Sequence, residues 1–161
     1  MSEESKAKVD DLLFEAMNAE VKAKEFYADA SNKAQSQAGK KFFQELADFE
    51  AKHYEHVKSI IESRNKGEKL NLLKLEEDIP TIKPEVKGEF EPNKDEIVDV
   101  LTLGIKAEKE AQTRYNKIAD QIDDPAGKEI FKELAEDERR HHDLLEAQFY
   151  QISNKGTIIW E

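Results

Sequence analysis

Apolar side chains recur at intervals of three and four residues over four long stretches of the chain, a spacing typical of amphipathic helices. The stretches cover about residues 5–33, 40–64, 94–121 and 125–153. The breaks between and after them carry turn, cap and stop signals: residues 36–39, Asn65-Lys66-Gly67, Asn93 or Asp95, Asp123-Asp124-Pro125 and Asn154-Lys155-Gly156. The pattern predicts an all-α protein of four long helices, arranged as two hairpins over 5–65 and 94–153.

The segment between the hairpins, residues 66–93, interrupts the helical pattern. It contains three of the four prolines and a cluster of leucines and isoleucines between residues 70 and 82. Helices in bundles are usually joined by about two to eight residues, so we expect this long segment to cross the length of the bundle, with a short helix near 70–75. The tail, 154–161, ends in apolar residues and is expected to dock on the bundle, on the crossover or on another subunit. Residues 1–161 are thus predicted to form one domain.

The two hairpins repeat each other at an offset of 88 residues. Between segments 13–53 and 101–141, 14 of the 41 aligned positions are identical without a gap. The identities include Glu20 with Glu108, Tyr27 with Tyr115, and the two Glu-x-x-His pairs, Glu50-x-x-His53 and Glu138-x-x-His141. Unrelated segments would share only a few positions. The chain is therefore a tandem duplication of a helical hairpin.

The repeated polar residues occupy positions where a core residue belongs. A step of seven residues returns to nearly the same face of a helix. Four such rows run Leu13-Glu20-Tyr27, Phe43-Glu50-Val57, Leu101-Glu108-Tyr115 and Phe131-Glu138-Leu145. Each helix is thus predicted to point one glutamate into the middle of the bundle, with His53 and His141 one turn from Glu50 and Glu138.

Four carboxylates and two imidazoles in an apolar core need compensation, because an isolated buried carboxylate is strongly disfavoured or takes up a proton. Two divalent cations would offset the four charges, and oxygen and imidazole ligands without sulfur suit iron or manganese, with zinc also tolerated. Glutamates from two helices and Glu-x-x-His from two others are the general pattern of ferritin-like di-iron and di-manganese proteins. One Glu-x-x-His on a glutamate-rich helix is usually a solvent-facing accident. Two at one offset, both on core faces, predict a metal pair.

Other polar residues leave alternatives open. Tyr27 and Tyr115 are either core aromatics with satisfied hydroxyls or catalytic residues beside the metals. Six residues have outer roles in this scheme: His56 and His142 are expected at the surface or behind the ligands, Asp48 or Asp137 is expected to orient a ligand histidine, and Glu45 and Glu133 are expected to face outward.

Composition narrows the class of protein. A net charge of −11 argues against a nucleic-acid surface, which needs clustered Lys and Arg. The absence of cysteine excludes disulfides and thiolate sites and is compatible with a reducing cytosol. The N-terminus lacks the apolar run of a signal peptide, and no window approaches the roughly 18 apolar residues of a membrane span. We expect a cytoplasmic protein with neither nucleic acid nor membrane as a partner.

The helices and the repeated Glu, Tyr and Glu-x-x-His residues resemble the di-iron domain of the rubrerythrin family, within the ferritin-like superfamily. The resemblance implies a four-helix bundle with two iron ions, Glu50 and Glu138 as bridging ligands, Glu20 and Glu108 as terminal ligands, and His53 and His141 as one imidazole per metal. Two features depart from the family pattern. Ala111 stands where rubrerythrins carry an extra carboxylate, and the chain has no cysteine for a rubredoxin-type iron site.

The resemblance implies an oxidoreductase that reduces hydrogen peroxide or dioxygen in the response to oxidative stress, with electrons from a separate protein. It also implies a homodimer, in which the long crossover would permit the hairpins to exchange between subunits. Two alternatives remain: a ferritin-like iron-binding or ferroxidase protein, and a bundle that holds a structural zinc or manganese pair.

Overall fold

A computed structural model of the chain describes residues 2–68 and 88–160, and these ranges contain the four predicted helices. The helices are α1 (Glu3–Lys33), α2 (Gln37–Asn65), α3 (Lys94–Gln121) and α4 (Pro125–Lys155). Two short strands, β1 (Glu89–Phe90) and β2 (Ile159–Trp160), are not predicted by the sequence pattern. The short helix expected near 70–75 lies outside the described residues. None of the helices in the described ranges is long and apolar enough to cross a membrane.

Side-chain caps set the helix ends. The Ser36 hydroxyl accepts a hydrogen bond from the amide three residues on (2.9 Å), so the predicted turn at 36–39 is instead the cap and first turn of α2. Asp124 caps α4 in the same way, with proline at the first helical position, as predicted. Asn93 precedes α3, but its carboxamide donates to the Lys33 carbonyl (2.7 Å) instead of capping. This bond ties the start of α3 to the end of α1.

The helices form two antiparallel hairpins, with α1 packed on α2 and α3 packed on α4, while α1 also packs on α3. The Arg64 guanidinium lies 3.0 Å from the Asp10 carboxylate, which places the end of α2 beside the start of α1. The start of α3 lies at the other end of α1. Residues 68 and 88, the described ends of the crossover, therefore lie at opposite ends of the bundle, as the crossover hypothesis requires.

Buried apolar side chains form two clusters, one towards each end of the bundle. The first cluster includes Leu13, Tyr115, Ile118, Phe131 and Leu134, and the second includes Leu101, Tyr27, Ala30, Phe43 and Leu46. Each residue in the first set is the counterpart, 88 positions away, of a residue in the second. The duplication is therefore expressed in the packing, because equivalent residues of the two halves build opposite ends of the bundle.

The tail docks on the bundle end that contains the second cluster. Its strand pairs antiparallel with β1, with Glu89 opposite Trp160 and Phe90 opposite Ile159. The Trp160 side chain is fully buried against the rings of Phe42 and Phe43, at centroid distances of 5.2 and 5.7 Å. The tail thus contacts both the bundle and the end of the crossover, as its apolar composition predicts.

Candidate metal centre

A layer of acidic side chains separates the two apolar clusters. It consists of one glutamate from each helix, Glu20, Glu50, Glu108 and Glu138, hereafter the mid-bundle glutamates, each only 1–2% exposed. The seven-residue rows explain their position. In α1, for example, Leu13 lies in one cluster and Tyr27 in the other, so Glu20 between them falls in the middle of the bundle.

Six side chains in this layer fall into two groups of four. Glu20, Glu50, His53 and Glu138 form one group, and Glu50, Glu108, Glu138 and His141 form the other. Within each group, one ligand atom from every residue lies within 4.8 Å of all the others. Glu50 and Glu138 belong to both groups, whereas Glu20 and Glu108 each belong to one. The structure therefore brings together all six predicted ligands, in a pattern of two shared and two unshared carboxylates.

The two histidines lie parallel in the layer and connect α2 with α4. Their ring centroids are 6.0 Å apart, with 15° between the planes. The Nδ1 atom of His53 lies 2.6 Å from Oε1 of Glu138, and the Nδ1 atom of His141 lies 3.2 Å from Oε1 of Glu50. Each imidazole thus turns its Nδ1 atom towards the shared glutamate of the other half.

The two tyrosines that are repeated in the sequence also connect the halves. The Tyr27 hydroxyl, on α1, donates to Oε1 of Glu108 on α3 (2.6 Å), and the Tyr115 hydroxyl, on α3, donates to Oε1 of Glu20 on α1. Both rings are buried in the apolar clusters. Each tyrosine is therefore a core aromatic whose hydroxyl is bonded to an unshared glutamate, and a catalytic role for either one stays a prediction.

The crowded carboxylates perturb one another strongly. Burial raises the pKa of Glu20 and Glu138 well above the ordinary value, and the neighbouring carboxylates add to the rise. Burial alone would also raise the pKa of Glu50, but hydrogen bonding to Glu20 and the two histidines outweighs it and lowers the pKa. Burial alone would lower the pKa of His53, but the negative charge of Glu138 raises it. Without cations, then, protons must cancel part of the charge in this layer.

The arrangement fits a pair of metal ions. Four buried atoms in the layer have no partner in hydrogen-bond geometry: Oε2 of Glu20, Oε2 of Glu108, and the Nδ1 of His53 and Oε1 of Glu138 that lie 2.6 Å from each other. Buried polar atoms are rarely left unsatisfied, because each lost bond costs about 1–3 kcal/mol. All four atoms belong to residues of the two groups. Two cations would supply their missing partners and offset the negative charge, and the oxygen and imidazole donors suit iron, manganese or zinc.

Asp137 is the aspartate that contacts a histidine of the layer. Its Oδ2 atom lies 3.3 Å from Nε2 of His53, whereas Asp48 is exposed and bonds within its own helix. His142 lies against two acidic neighbours on its own helix, and neither His142 nor His56 belongs to the two groups. Helical spacing alone does not distinguish Asp48 from Asp137, because the choice depends on how α2 and α4 face each other.

The helical pattern predicts Phe49 on the inner face of the second helix but gives it no role in the layer, where its ring stacks on the imidazole of His141 at a centroid distance of 5.6 Å. The sequence does carry a signal for this difference. In the alignment at an offset of 88 residues, Phe49 pairs with Asp137, and this mismatch comes directly before the repeated glutamate of each Glu-x-x-His pair.

A cavity of about 530 Å³ leads to the layer between α1 and α3. All four mid-bundle glutamates and Tyr27 line it, together with exposed residues such as Lys22 and Glu110. Alanines from both helices, including the equivalent pair Ala23 and Ala111, also contribute to its walls. The alanine at position 111 therefore leaves open space where the family pattern places a carboxylate.

Comparison with known families agrees with this geometry. The rubrerythrin family model matches residues 11–149, most of the chain. The chain belongs to the rubrerythrin family. The fold and family predicted from the sequence are thus confirmed, and the carboxylate–histidine layer is the place in this rubrerythrin-family chain where a di-iron site would lie. Among curated proteins, the comparison finds no match.

Solved structures confirm the ferritin-like bundle. The chain is similar to a hypothetical protein from Pyrococcus furiosus, with a TM-score of 0.70 and 24% identity over 91% of this chain and 90% of that one. It is also similar to the bacterioferritin of Rhodobacter capsulatus, described as having a metal-free dinuclear site and a haem iron, with a TM-score of 0.65 and 25% identity over 92% and 87%. A two-domain protein from Anabaena variabilis, with DJ-1/ThiJ/PfpI-like and ferritin-like domains, matches at a TM-score of 0.66 and 17% identity. This match covers 93% of the present chain and 38% of that protein.

Proposed function

We propose that the protein is a di-iron oxidoreductase of the rubrerythrin type, which reduces hydrogen peroxide or dioxygen with electrons from an external donor protein. The observation that carries the proposal is the pair of four-residue groups that share Glu50 and Glu138. Two ferrous ions bound there would supply the two electrons that cleave the O–O bond of hydrogen peroxide, or that reduce dioxygen, with two protons, to hydrogen peroxide. Reduction of one hydrogen peroxide consumes two electrons and two protons and releases two waters.

The six side chains would have different roles in binding the two ions. Glu50 and Glu138 would bridge the two ions, because each belongs to both groups. Glu20 and Glu108 would each bind one ion, as would His53 and His141 through their Nδ1 atoms. The apolar clusters on either side hold these groups away from bulk water, which strengthens their electrostatic attraction for cations.

The tyrosines would position the terminal carboxylates. A hydroxyl that donates to one oxygen of Glu108 or Glu20 leaves the other oxygen for a metal. Tyr27 also lines the cavity, so its hydroxyl would contact a small molecule that enters there. A catalytic role for Tyr27 and Tyr115 is therefore part of the proposal, with Tyr27 the better placed of the two.

The cavity between α1 and α3 supports access by a small oxidant. It reaches all four mid-bundle glutamates and is lined at its outer part by exposed residues. The small side chains of Ala23 and Ala111 leave the path open. An external electron donor is proposed because the chain has no cysteine to hold a second iron centre of the rubredoxin type.

The experiment is anaerobic loading with ferrous iron, followed by hydrogen peroxide. We expect two iron ions per chain, rapid appearance of ferric absorbance on adding peroxide, and repeated turnovers when a reductant is supplied. A loaded protein that keeps two ferrous ions but does not react with peroxide or dioxygen would contradict the proposed activity.

Matched variants test the ligand assignment in the same experiment. Glu50→Ala and Glu138→Ala should abolish loading of the pair, because each removes a ligand of both ions. Glu45→Ala and Glu133→Ala are the controls, because these glutamates lie five residues earlier on the same helices and outside both groups. Equal loading in all four variants would refute the assignment.

A second candidate, iron sequestration with ferroxidase activity, is favoured by the similarity to a bacterioferritin. Light scattering separates the two, since a ferritin-like cage would contain about two dozen subunits, whereas our proposal is a homodimer whose hairpins would be free to exchange through the crossover. Metal analysis of protein purified from cytoplasm, where we expect it to reside, distinguishes iron from a structural zinc or manganese pair.

A further inference from the structure

The cavity between α1 and α3 is much larger than a peroxide molecule requires. Its volume is about 530 Å³. A water molecule takes up about 30 Å³ in the liquid, and hydrogen peroxide has only two oxygen atoms. Cavities of about 300–1,000 Å³ are the size that binds small organic molecules. Along α1 the lining residues run from Glu15 to Tyr27, which corresponds to roughly 18 Å of helix. The cavity therefore has room for an organic ligand beside the layer.

The middle of the cavity has apolar walls made of small side chains. Ala19 and Ala23 line it from α1, and their counterparts in the repeat, Ala107 and Ala111, line it from α3. A longer side chain at these positions would occupy the space next to the layer. The four alanines thus offer a ligand an apolar surface directly above the mid-bundle glutamates.

The two ends of the cavity differ, because the repeat is broken there. Arg114 lines one end, and its counterpart 88 residues earlier, Phe26, lines the other. The ring of Phe26 packs against the second apolar cluster, with its centroid 5.3 Å from that of Tyr27. Arg114 directly precedes Tyr115, which belongs to the first cluster. The cavity therefore has a cationic end and an aromatic end.

The Arg114 guanidinium is only weakly engaged by the chain. Its side chain is 19% exposed, and its one ion-pair partner within residues 2–68 and 88–160 is Glu15, whose side chain is 64% exposed. The Nε atom of Arg114 lies 3.9 Å from Oε1 of Glu15, beyond hydrogen-bond distance, and such solvent-exposed pairs contribute little. A guanidinium can donate two parallel hydrogen bonds to one carboxylate. A ligand carboxylate in the cavity would therefore compete well with Glu15.

We propose that the cavity binds a medium-chain organic carboxylate as well as the small oxidant. The ligand carboxylate accepts hydrogen bonds from Arg114, and its apolar chain lies along the four alanines towards Phe26. The inference rests on the proposed metal pair, because two divalent cations offset the four charges of the mid-bundle glutamates, which would otherwise repel an anion. It assigns Arg114 and Phe26 as residues that determine which ligands enter.

Calorimetric titration of the Zn²⁺-loaded protein with octanoate tests the inference without relying on activity. Zinc suits the donors of the layer and is redox-inert. We expect saturable binding of one octanoate per chain. Two further probes separate the two halves of the ligand: octanol keeps the apolar chain without the charge, and acetate keeps the charge without the chain. Each should bind at least about 10-fold more weakly than octanoate.

Matched variants identify the residues responsible. Arg114→Gln should weaken octanoate binding by about 10–100-fold and leave octanol binding unchanged, because hydrogen bonds to a charged group are lost. Lys117→Gln is the control, since Lys117 is an exposed cation three residues later on the same helix and does not line the cavity. Ala111→Leu should abolish binding of both octanoate and octanol by filling the middle of the cavity. Ala23→Leu, at the equivalent and more exposed position, serves the same purpose if Ala111→Leu fails to fold.

The outcomes separate this inference from the metal pair. Zinc is counted in every variant before the titration, and a protein that holds two Zn²⁺ ions but binds no octanoate would overturn the inference alone. So would octanoate binding that is equally strong in Arg114→Gln, since the carboxylate would then contact the metal ions instead. A protein that binds no Zn²⁺ would overturn the proposed function before any octanoate is added.

Discussion

Buried glutamates occur in two regions of this bundle, and the two regions treat them in opposite ways. Glu91, at the end of the crossover, is fully buried, and its two oxygens accept bonds from the Gln35 amide (3.0 Å), the Ser36 amide and hydroxyl (3.4 and 2.6 Å), the Asn93 amide (3.0 Å) and the Trp160 indole (3.4 Å). The mid-bundle glutamates are similarly buried, but Glu20, Glu108 and Glu138 each have one oxygen without a partner in hydrogen-bond geometry, and all of them lie close to other carboxylates.

The contrast separates a carboxylate that the chain itself satisfies from one that is a candidate metal ligand. Burial would raise the pKa of Glu91, but the surrounding donors outweigh burial and lower the pKa, so the ionised form is favoured there. Burial and neighbouring carboxylates raise the pKa of Glu20 and Glu138 instead. Burial alone therefore does not indicate a functional site. A set of buried acceptors that lacks donors does indicate such a site, because protons or cations from outside the chain must compensate the acceptors.

The largest expected effect is that of metal removal on the mid-bundle region. Ions that bind only the folded state stabilise it by about 4 kcal/mol when present at roughly 1,000 times the dissociation constant. For a chain of this size, this corresponds to a fall in Tm of roughly 8–16 °C on chelation. Calorimetry before and after treatment with a chelator, and after adding Fe²⁺ or Zn²⁺ back, measures it. An unchanged Tm would place the mid-bundle glutamates in the same class as Glu91, satisfied by the chain itself.

A smaller effect is expected from Glu91→Gln, about 1–3 kcal/mol of unfolding free energy at neutral pH, because a charged acceptor of several buried donors is lost. Since the folded pKa of Glu91 is lowered, its contribution is fully present above the pKa of the unfolded chain and disappears as the pH falls through the folded value. Urea titrations of both proteins across the acidic range should therefore converge at low pH.

The matched variant for this experiment is Glu138→Gln in metal-free protein, where the pH dependence of stability has the opposite sign. The folded pKa of Glu138 is raised, so the metal-free bundle loses stability as the pH rises from the ordinary carboxyl value through the folded one. The Gln variant should be the more stable of the two near neutral pH. At each position, the stability difference between the Glu protein and the Gln variant is compared across pH. If this difference changed with pH in the same direction at positions 91 and 138, the distinction between the two regions would be lost.

The smallest effect concerns the tyrosine hydroxyls. Tyr27→Phe and Tyr115→Phe each remove one hydrogen bond to a terminal glutamate, and we expect each to weaken metal binding by about 1 kcal/mol. The two losses should be similar, since the contacts are equivalent under the repeat. Zn²⁺ titration of both variants provides the measurement. A loss confined to one variant would show that the two tyrosines do not serve equivalent functions.

The helices and the six layer residues could be predicted from the sequence because both depend on spacing. Heptad rows place Glu20 and Glu108 inside, and the repeat shows that the rows are not accidental. The caps at Ser36 and Asp124 likewise use local signals that a single helix carries. The largest shift, of about three residues, is at the start of α2, because Gly39 lies within the first turn and does not form the turn itself.

What the sequence did not predict depends on contacts between distant segments. Nothing local marks Glu91 as different from Glu89, because most of its donors come from distant segments, the connection between α1 and α2 and the tail. The tyrosine bonds are unpredictable for the same reason, since Tyr27 reaches a glutamate 81 residues away. The strand pair forms only when the tail meets the crossover. Each of these contacts requires the relative placement of helices, which helical periodicity does not supply.

The hydrogen bonds of Tyr27 to Glu108 and of Tyr115 to Glu20 cross between the two halves and suggest how the duplicated chain arose. A lone hairpin would hold one tyrosine and one glutamate that cannot satisfy each other, whereas two copies of it would satisfy both pairs at once. The duplicated chain therefore has the bonding scheme of a symmetric dimer made from a single shorter gene product. While the copies were identical, any substitution entered both halves of the layer together. Fusion into one polypeptide removed that constraint, so that a phenylalanine on one side and an aspartate on the other became accessible to selection independently.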